Sequence, residues 1–541
     1  MSFKTTILGS ERLLPSKPIS EHITALSLLD AVSVDFTAPC ATWLFERPAP
    51  TDLDHSHRSH HFRASLQITL DAYPQWCGRL KLVTDVDSVR TIDTDHELAL
   101  HARRLGRVHL VYGSLQDPGV EYIVAKSTAT LNDLCPTPRA QSPTVWDRSN
   151  VSFASFVPST PVKEPHVDTD GGPFRPHVAI QITSLACGGF VLAVKTAHPL
   201  ADTHSLARFV KDWASVSQAL CQQSPFLPLT PLFNPGLLDS RAAGDINADH
   251  ADPDIIKRIK SLPCERYDFW TDSPGCPWPV TIPESLGAAA QVPAGKPIPW
   301  SEFDSKSSAH YLVRLSSEQV ESLWQEANRV SSDAVTTRLS RHDAVLAHIW
   351  SCINRARQLQ DDYAPVHCNL TCGLRSALQL GDDFLGTPIL MVDVEMHGKD
   401  VAATTALRPI AQRIRNTIQQ VSDPDLLGAH LHSVAFESTP QRIWQGFLGR
   451  RHIMVTTWAR AGLYEVDFGW GPARYVEDML ENLDGLVVIK EAPPPRGVPL
   501  TAASGSWTEN GVDVVLHLRQ EDMDRLIRDP VLTGSGSGTT D

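Results

Sequence analysis

The sequence lacks both long apolar runs and a net basic charge. No stretch approaches 18 consecutive apolar residues, so no membrane-spanning helix is expected. The 62 acidic residues outnumber the 48 basic ones, and the formal net charge is −14. A general binder of nucleic acid or of an anionic membrane needs a basic surface, because it must displace counterions from phosphates. We therefore expect neither nucleic acid nor a membrane as a partner.

Cysteine is scarce and irregularly spaced. Ten cysteines in 541 residues fall below the density of a disulfide scaffold. The closest pair, Cys368 and Cys372, has neither zinc-site spacing nor a second pair to complete a tetrahedron. His57, His60 and His61 could share a helix face, but no carboxylate or cysteine completes that set. We expect reduced thiols, no bound metal and, since no apolar signal segment opens the chain, a cytoplasmic location.

The chain has no internal repeat and the composition of a globular protein, with 42% hydrophobic and 20% charged residues. Its length favours more than one domain. Thirteen of the 40 prolines fall between residues 222 and 301, where hydrophobic periodicity is weak. The predicted organisation is an N-terminal domain (1–221), a Pro-rich crossover linker (222–301), a C-terminal domain (302–533) and a flexible tail (534–541). Strands and helices mix in both halves, which predicts the α/β class.

The most regular part of the chain lies before residue 221. Residues 177–184 (HVAIQITS) and 190–197 (FVLAVKTA) read as two strands joined by a Cys-Gly-Gly turn. Between residues 206 and 220, apolar residues then recur at the spacing of an amphipathic helix. In the second half, Ser316 and Gln319 have the spacing of a helix-capping box.

An HxxxD pentapeptide, HPLAD, joins this second strand to the helix. The pattern alone is weak, since His166 and His250 begin further matches, but both of those lie in polar, loop-like sequence. His198 instead follows an apolar strand, which gives its imidazole the fixed direction that general-base catalysis requires. The alternative is structural: Asp202 would only cap the helix, and His198 would be an ordinary strand-end residue.

A second motif, DFGWG, covers residues 467–471. Five fixed residues of these types arise by chance in such a chain on the order of once in ten thousand. The motif has one carboxylate and neither a nucleophile nor a base. Gly469 and Gly471 around a tryptophan indicate a tight turn on which an indole packs. We interpret Asp467 and the two glycines as structural support.

Together the two motifs resemble the signatures of the BAHD acyltransferases, the plant and fungal coenzyme A-dependent family. The resemblance spans nearly the whole chain and is nearest to fungal members of secondary metabolism. The matching blocks are YPQWCGRL, AIQITSLACGGFVLAVKTAHPLAD, VTTWARAGLYEVDFGWG, LDGLVVIK and VDVVLHLRQEDMDRLIRD. Two positions depart from the family pattern. Thr203 replaces the usual glycine after the motif aspartate, and Gly386-Thr387-Pro388 replaces a Gly-Asn pair.

The resemblance implies a two-domain fold like that of chloramphenicol acetyltransferase, with a channel between the domains. His198 would lie in the channel as the general base. Asp202 would point away from the substrate and pair with Arg375. Thr456 and Trp458, in the family's Thr-x-Trp run, would face the reaction centre; plain core packing is an equally weighted alternative for Trp458.

The implied activity is acyl-CoA-dependent O-acylation of a small secondary metabolite, with acetyl-CoA as the first candidate donor. Acyl-CoA would be a co-substrate, no cofactor would stay permanently bound, and the protein would act as a monomer. The CoA-contacting residues are unknown. Candidates for binding its phosphates are Arg355, Arg357, Arg450 and Arg451, but a solvated charge cluster is the favoured interpretation of any single one of them.

Three alternatives stay open at this point. The acceptor could be an amine, which would make the enzyme an N-acyltransferase. A condensation-like enzyme would use carrier-protein thioesters, but Ala197 stands where such enzymes carry a second histidine. A non-catalytic ligand-binding paralogue is a third alternative, and the retained His198 argues against it.

Overall fold

The computed structural model describes thirteen stretches of the chain. They are residues 3–48, 55–83, 100–101, 104–136, 144–162, 174–271, 276, 282, 292–303, 308–329, 338–403, 407–495 and 506–532. The predicted tail, 534–541, and the HxxxD match at His166 lie outside the described residues. Within the described residues, no helix combines the length and the apolar composition that crossing a bilayer requires.

The strands, in chain order, are β1 (Thr5–Leu13), β2 (His22–Ala25), β3 (Cys40–Phe45), β4 (Arg79–Leu82), β5 (Val108–Tyr112), β6 (Val120–Ser127), β7 (Val145–Asp147), β8 (Val178–Ser184), β9 (Phe190–Thr196), β10 (Tyr267–Asp268), β11 (Lys296–Pro297), β12 (Ser308–Leu315), β13 (Pro365–Gly373), β14 (Ile389–His397), β15 (Ile443–Trp444), β16 (His452–Thr457), β17 (Tyr475–Asp478), β18 (Leu486–Glu491) and β19 (Val512–Arg519).

The α-helices are α1 (Leu28–Val32), α2 (His55–Leu70), α3 (Leu131–Leu134), α4 (Thr203–Cys221), α5 (Pro235–Asp239), α6 (Pro253–Arg258), α7 (Ser317–Asn328), α8 (Arg341–Ala356), α9 (Gly398–Ala402), α10 (Leu407–Gln420), α11 (Pro424–Ala435) and α12 (Gln520–Leu526).

The first large sheet has the order β1-β6-β8-β9-β3-β17. Its centre is the predicted hairpin β8–β9, antiparallel from Val178↔Thr196 to Ser184↔Phe190. Both strands are almost entirely buried, which explains their continuous apolar sequence. The apolar faces of α2 and α4 join the same core. This packing holds the end of β9, where His198 follows, between rigid elements.

The second large sheet has the order β14-β13-β16-β18-β19-β12-β7. Strands β13, β16 and β18 run parallel to one another, and the outer pairs are antiparallel. Helix α8 begins at the capping box of Ser340 and Asp343, and it packs with α7, α10 and the sheet in a second core. The capping box predicted at Ser316 and Gln319 starts α7.

Each large sheet takes one edge strand from the other half of the chain. Strand β17 pairs with β3 in the first sheet, and β7 pairs with β12 in the second. Two buried ion pairs accompany the exchange: Arg148 to Glu477 at 2.7 Å and Lys490 to Asp478 at 2.8 Å. The predicted domain boundaries therefore divide the chain but not the sheets, because strand pairing follows neighbours in space and not in sequence.

The described part of the linker predicted over 222–301 contains regular secondary structure. It holds α5, α6 and two short strands, of which β10 pairs with β15 of the second half. The Arg442 guanidinium donates to both carboxylate oxygens of Asp268 at 2.8 and 2.7 Å. These contacts attach the linker to the C-terminal half.

Candidate active site

His198 lies where β9 ends. A single 3₁₀ turn, His198–Leu200, leads from the strand into α4, and the Ala197 N–H still donates to the His177 carbonyl at 2.7 Å. The imidazole is half-buried, and the Phe36 ring meets it edge-on, with 5.3 Å between the ring centroids. The strand and helix thus give the ring a fixed direction. The competing match at His250 is exposed and lies outside regular structure.

Asp202 caps the helix and forms an ion pair at the same time. Its Oδ1 accepts the Ser205 N–H at 2.9 Å, as a helix N-cap does. The Arg375 guanidinium donates to Oδ2 at 2.5 Å and to Oδ1 at 2.9 Å. Burial raises the pKa of Asp202, but Arg375 and the Ser205 N–H outweigh it, and the net effect is a lowered pKa. The carboxylate therefore stays ionised.

Arg375 also holds the loop at Phe384–Thr387 against this turn. It donates to the Phe384 carbonyl at 3.2 Å and to the Ser205 hydroxyl at 2.8 Å. The Gly386 carbonyl accepts the Asp202 N–H at 3.2 Å and the Ser205 hydroxyl at 3.0 Å. Gly386 has φ +139°, a conformation that favours glycine. The second half of the chain is thus bonded directly to the HxxxD turn.

Thr387 contacts His198 twice, and sequence reasoning noted this position only as a departure from the family. Its hydroxyl lies 2.5 Å from the His198 carbonyl oxygen and 3.4 Å from Nδ1 of the ring. Its N–H donates to Asp30 Oδ1 at 2.7 Å. Burial raises the pKa of Asp30 to about 6, although hydrogen bonds from Ser27 and Thr387 lower it. The Ser27/Asp30 spacing signals a helix cap, but nothing local links it to residue 387.

The DFGWG turn uses its own carboxylate. Asp467 Oδ1 accepts the N–H groups of Gly469, Trp470 and Gly471 at 2.7, 3.1 and 2.9 Å. Gly469 and Gly471 have φ of +102° and +99°, which explains the glycines. The Phe468 ring lies 5.0 Å from the ring of Trp213 on α4. The turn therefore packs on the helix that follows His198.

Thr456 and Trp458 lie at the end of β16. Thr456 is half-buried and pairs with Val488 of β18. Trp458 is 3% exposed, and it belongs to the same core cluster as Ala197, Leu200 and Ala201 around His198. The backbone N–H of Trp458 donates to the Ile489 carbonyl at 2.8 Å. The role of its indole N–H toward the reaction stays a prediction.

Each of the four candidate phosphate-binding arginines has a partner within the protein. Arg357 is buried, and its guanidinium donates to the carbonyls of Arg450 and His452 at 3.0 and 2.7 Å, so it is unsuited to a phosphate at a surface. Arg355 pairs with Asp529, and Arg451 pairs with Asp362. Arg450 is exposed and donates to the Arg357 carbonyl.

One described group has metal-ligand chemistry. Glu265, His367 and Asp393 place ligand atoms within 4.8 Å of one another. His367 Nδ1 and Asp393 Oδ2 lie 2.9 Å apart, and Lys296 forms an ion pair with Glu265. The two carboxylates of this group therefore already have partners within the protein. Of the three histidines considered in the sequence, His61 contacts the Ser217 hydroxyl at 2.8 Å, and the side chain of His57 lies outside the described residues.

Comparisons with known proteins identify related sequences. The sequence model described as "Transferase family" matches residues 3–90, 111–257 and 291–532. Acyltransferase AFT15-1 of Alternaria alternata is 26% identical over 98% of this chain and 97% of its own. Acyltransferase abl6 of Leptosphaeria maculans is 23% identical over 98% of both chains.

Solved structures show the same fold. TRI101 of F. graminearum superposes with a TM-score of 0.61 at 16% identity, over 94% of this chain and 97% of its own. Vinorine synthase gives 0.58 at 16% identity, over 96% of both chains. The expected α/β, two-domain fold is confirmed. The chain belongs to the Transferase family, the BAHD-type acyltransferases that its two motifs resemble, and it is an acyltransferase.

Proposed function

We propose that the protein is an acyl-CoA-dependent O-acyltransferase that acetylates a hydroxyl of a small secondary metabolite. The observation that carries the proposal is the position of His198. His198 follows strand β9 in one half of the chain, and its half-buried imidazole contacts the Thr387 hydroxyl of the other half. We infer that two substrates reach this base from different sides, because it lies between the two halves of the chain. The acyl donor and the acceptor would meet there in a ternary complex.

The proposed transfer is direct. Neutral His198 takes the proton of the acceptor hydroxyl while its oxygen attacks the thioester carbonyl. The tetrahedral oxyanion needs hydrogen-bond donors, a role that we assign to Trp458 and Thr456. When the intermediate collapses, the C–S bond breaks and the CoA thiolate receives the proton from the imidazolium. No acyl-enzyme forms, and Asp202 with Arg375 holds the turn without taking part in proton transfer.

Known relatives support the choice of substrates. TRI101 was crystallised with coenzyme A and deoxynivalenol, and also with ethyl coenzyme A. One relative that is 22% identical over 91% of this chain is named as a limonoid 1-O-acetyltransferase. By analogy we propose acetyl-CoA as donor and a small alcohol as acceptor. We further propose a monomer in the cytoplasm that needs no metal and no macromolecular partner.

The test measures free thiol released from acetyl-CoA while a panel of alcohols and amines is supplied, and identifies acylated products by mass spectrometry. His198→Ala should lower kcat by about 10²–10⁴-fold, which is the usual contribution of positioned proton transfer. His250→Ala, in the exposed HxxxD match, is the matched control and should leave the rate unchanged. Near-normal turnover in folded His198→Ala would refute the mechanism, and acylation of amines alone would identify an N-acyltransferase.

A further inference from the structure

We propose that Thr387 is a positioning residue that selects the tautomer of His198, with the proton on Nδ1 and the lone pair on Nε2. The proposal deepens the proposed function and rests on His198 being the base. The evidence is the pair of contacts that one buried hydroxyl makes to one histidine, at its carbonyl and at its ring.

The carbonyl contact fixes where the Thr387 proton lies. Oγ1 lies within hydrogen-bond distance of the His198 carbonyl oxygen. A carbonyl has no proton to give, so the hydroxyl donates. The same carbonyl also accepts the Ala201 N–H at 3.1 Å, which uses both of its lone pairs.

The ring contact then has only one possible polarity. A threonine hydroxyl has a single proton, and here the His198 carbonyl takes it. Toward Nδ1, 3.4 Å away, Oγ1 can therefore only accept, so Nδ1 carries the N–H. In a neutral imidazole the other nitrogen then has the lone pair. Nε2 is thus the atom that takes the acceptor's proton. The 3.4 Å separation is long, as contacts of catalytic groups often are before substrates bind.

The Thr387 hydroxyl is itself held in place. The residue is 0% exposed, and its N–H donates to Asp30 Oδ1, whose Oδ2 accepts from the Ser27 N–H and hydroxyl. A Cβ added to the preceding Gly386 would lie 3.0 Å from Asp30 Oδ1, so the two segments fit tightly. The capping box of α1 thus orients Thr387, and Thr387 orients the base.

The first experiment determines the proton position without measuring activity. Neutron diffraction from the full chain at alkaline pD, where an imidazole is neutral, should show deuterium on Nδ1 of His198 and on Thr387 Oγ1 directed at the carbonyl. Deuterium on Nε2 alone would overturn the proposal whatever the enzyme catalyses.

The second experiment compares Thr387→Val, which keeps the shape and removes the hydroxyl, with Thr387→Ser, which restores it. We expect kcat to fall about tenfold in the valine variant, which corresponds to the contribution of one hydrogen bond. The KM for acetyl-CoA should stay unchanged, and Thr387→Ser should recover the rate. Thr69→Val is the matched control, because Thr69 is equally buried and its hydroxyl also donates to a carbonyl, at 2.8 Å.

Unchanged kcat in Thr387→Val, or no recovery in Thr387→Ser, would overturn the positioning role. Failure of the proposed function looks different: His198→Ala would then keep its turnover, whatever the tautomer. If Thr387→Val does not fold, the neutron map and the serine variant still decide the question.

Discussion

Removing Arg375 alone should destabilise the protein more than replacing both partners of the Asp202–Arg375 pair. Arg375 and Asp202 are 8% and 6% exposed, so water reaches the survivor poorly. In Arg375→Met the carboxylate keeps the Ser205 N–H but loses both guanidinium bonds. A buried charge left without its partner costs about 3–5 kcal/mol. We expect a loss of unfolding free energy of that size.

Replacing Asp202 should cost less unfolding free energy than replacing Arg375. Asp202→Asn keeps a residue that caps helices well, and the Arg375 guanidinium retains the Ser205 hydroxyl and the carbonyls of Phe384 and Gly386 as acceptors. In the double variant neither charge of the pair remains. Its loss should therefore be smaller than the sum of the two single losses, with a coupling energy of about 2 kcal/mol.

The pair should also contribute to the pH dependence of stability. The pKa of Asp202 is lowered in the folded protein because the Arg375 pairing outweighs burial. A lowered pKa stabilises the fold above the ordinary range of an aspartate, about 3.9, and this stabilisation is lost as the pH falls through the folded value. Asp202→Asn removes this contribution, so the variant should lose less stability in acid than the wild type.

The assay is urea unfolding of the full chain at pH 7, followed by far-UV circular dichroism, for the wild type, both single variants and the double variant. Equal m-values are required before free energies are compared. Because the salt bridge joins the two halves of the chain, we expect the loss of stability to appear in the first unfolding transition. Single variants within about 1 kcal/mol of the wild type, or strictly additive losses, would refute the coupling inferred from the buried geometry.

Three further outcomes are expected. Asp467→Ala leaves three turn N–H groups without their acceptor and should lower thermal stability by about 1–3 kcal/mol while folded enzyme keeps its kcat; normal stability with impaired kcat would contradict this. Trp458→Phe should keep the fold and lower kcat by about 10²–10³-fold if the indole stabilises the oxyanion, whereas pure packing predicts a normal rate. Burial raises the pKa of Asp30 to about 6, so protonated Asp30 stabilises the fold in acid. About 3 kcal/mol of this stabilisation is lost as the pH rises from about 4 through 6. The melting temperature of Asp30→Asn, followed over this range, should lack that decrease.

Local patterns predicted the elements that carry the motifs. The apolar runs and the Cys-Gly-Gly turn of residues 177–197 became β8 and β9, and the helical spacing of apolar residues after residue 203 became α4, because these signals come from neighbours in sequence. The DFGWG turn was equally readable, since its carboxylate and N–H groups lie within five residues. The pairing of Asp202 with Arg375 came from family resemblance, because 173 positions separate the partners.

Only the tertiary structure decided what surrounds His198. Asp30 and Thr387 are 357 positions apart, and no periodicity or motif spacing links such distant residues. The exchange of β7 and β17 between the sheets could not be predicted from the sequence for the same reason. The burial of Arg357 against backbone carbonyls likewise follows only from the tertiary structure. Sequence determines which side chains stand beside each other along a strand or helix. Contacts between residues distant in sequence depend on how the chain folds back on itself. Buried polar groups must then find partners wherever the fold places them.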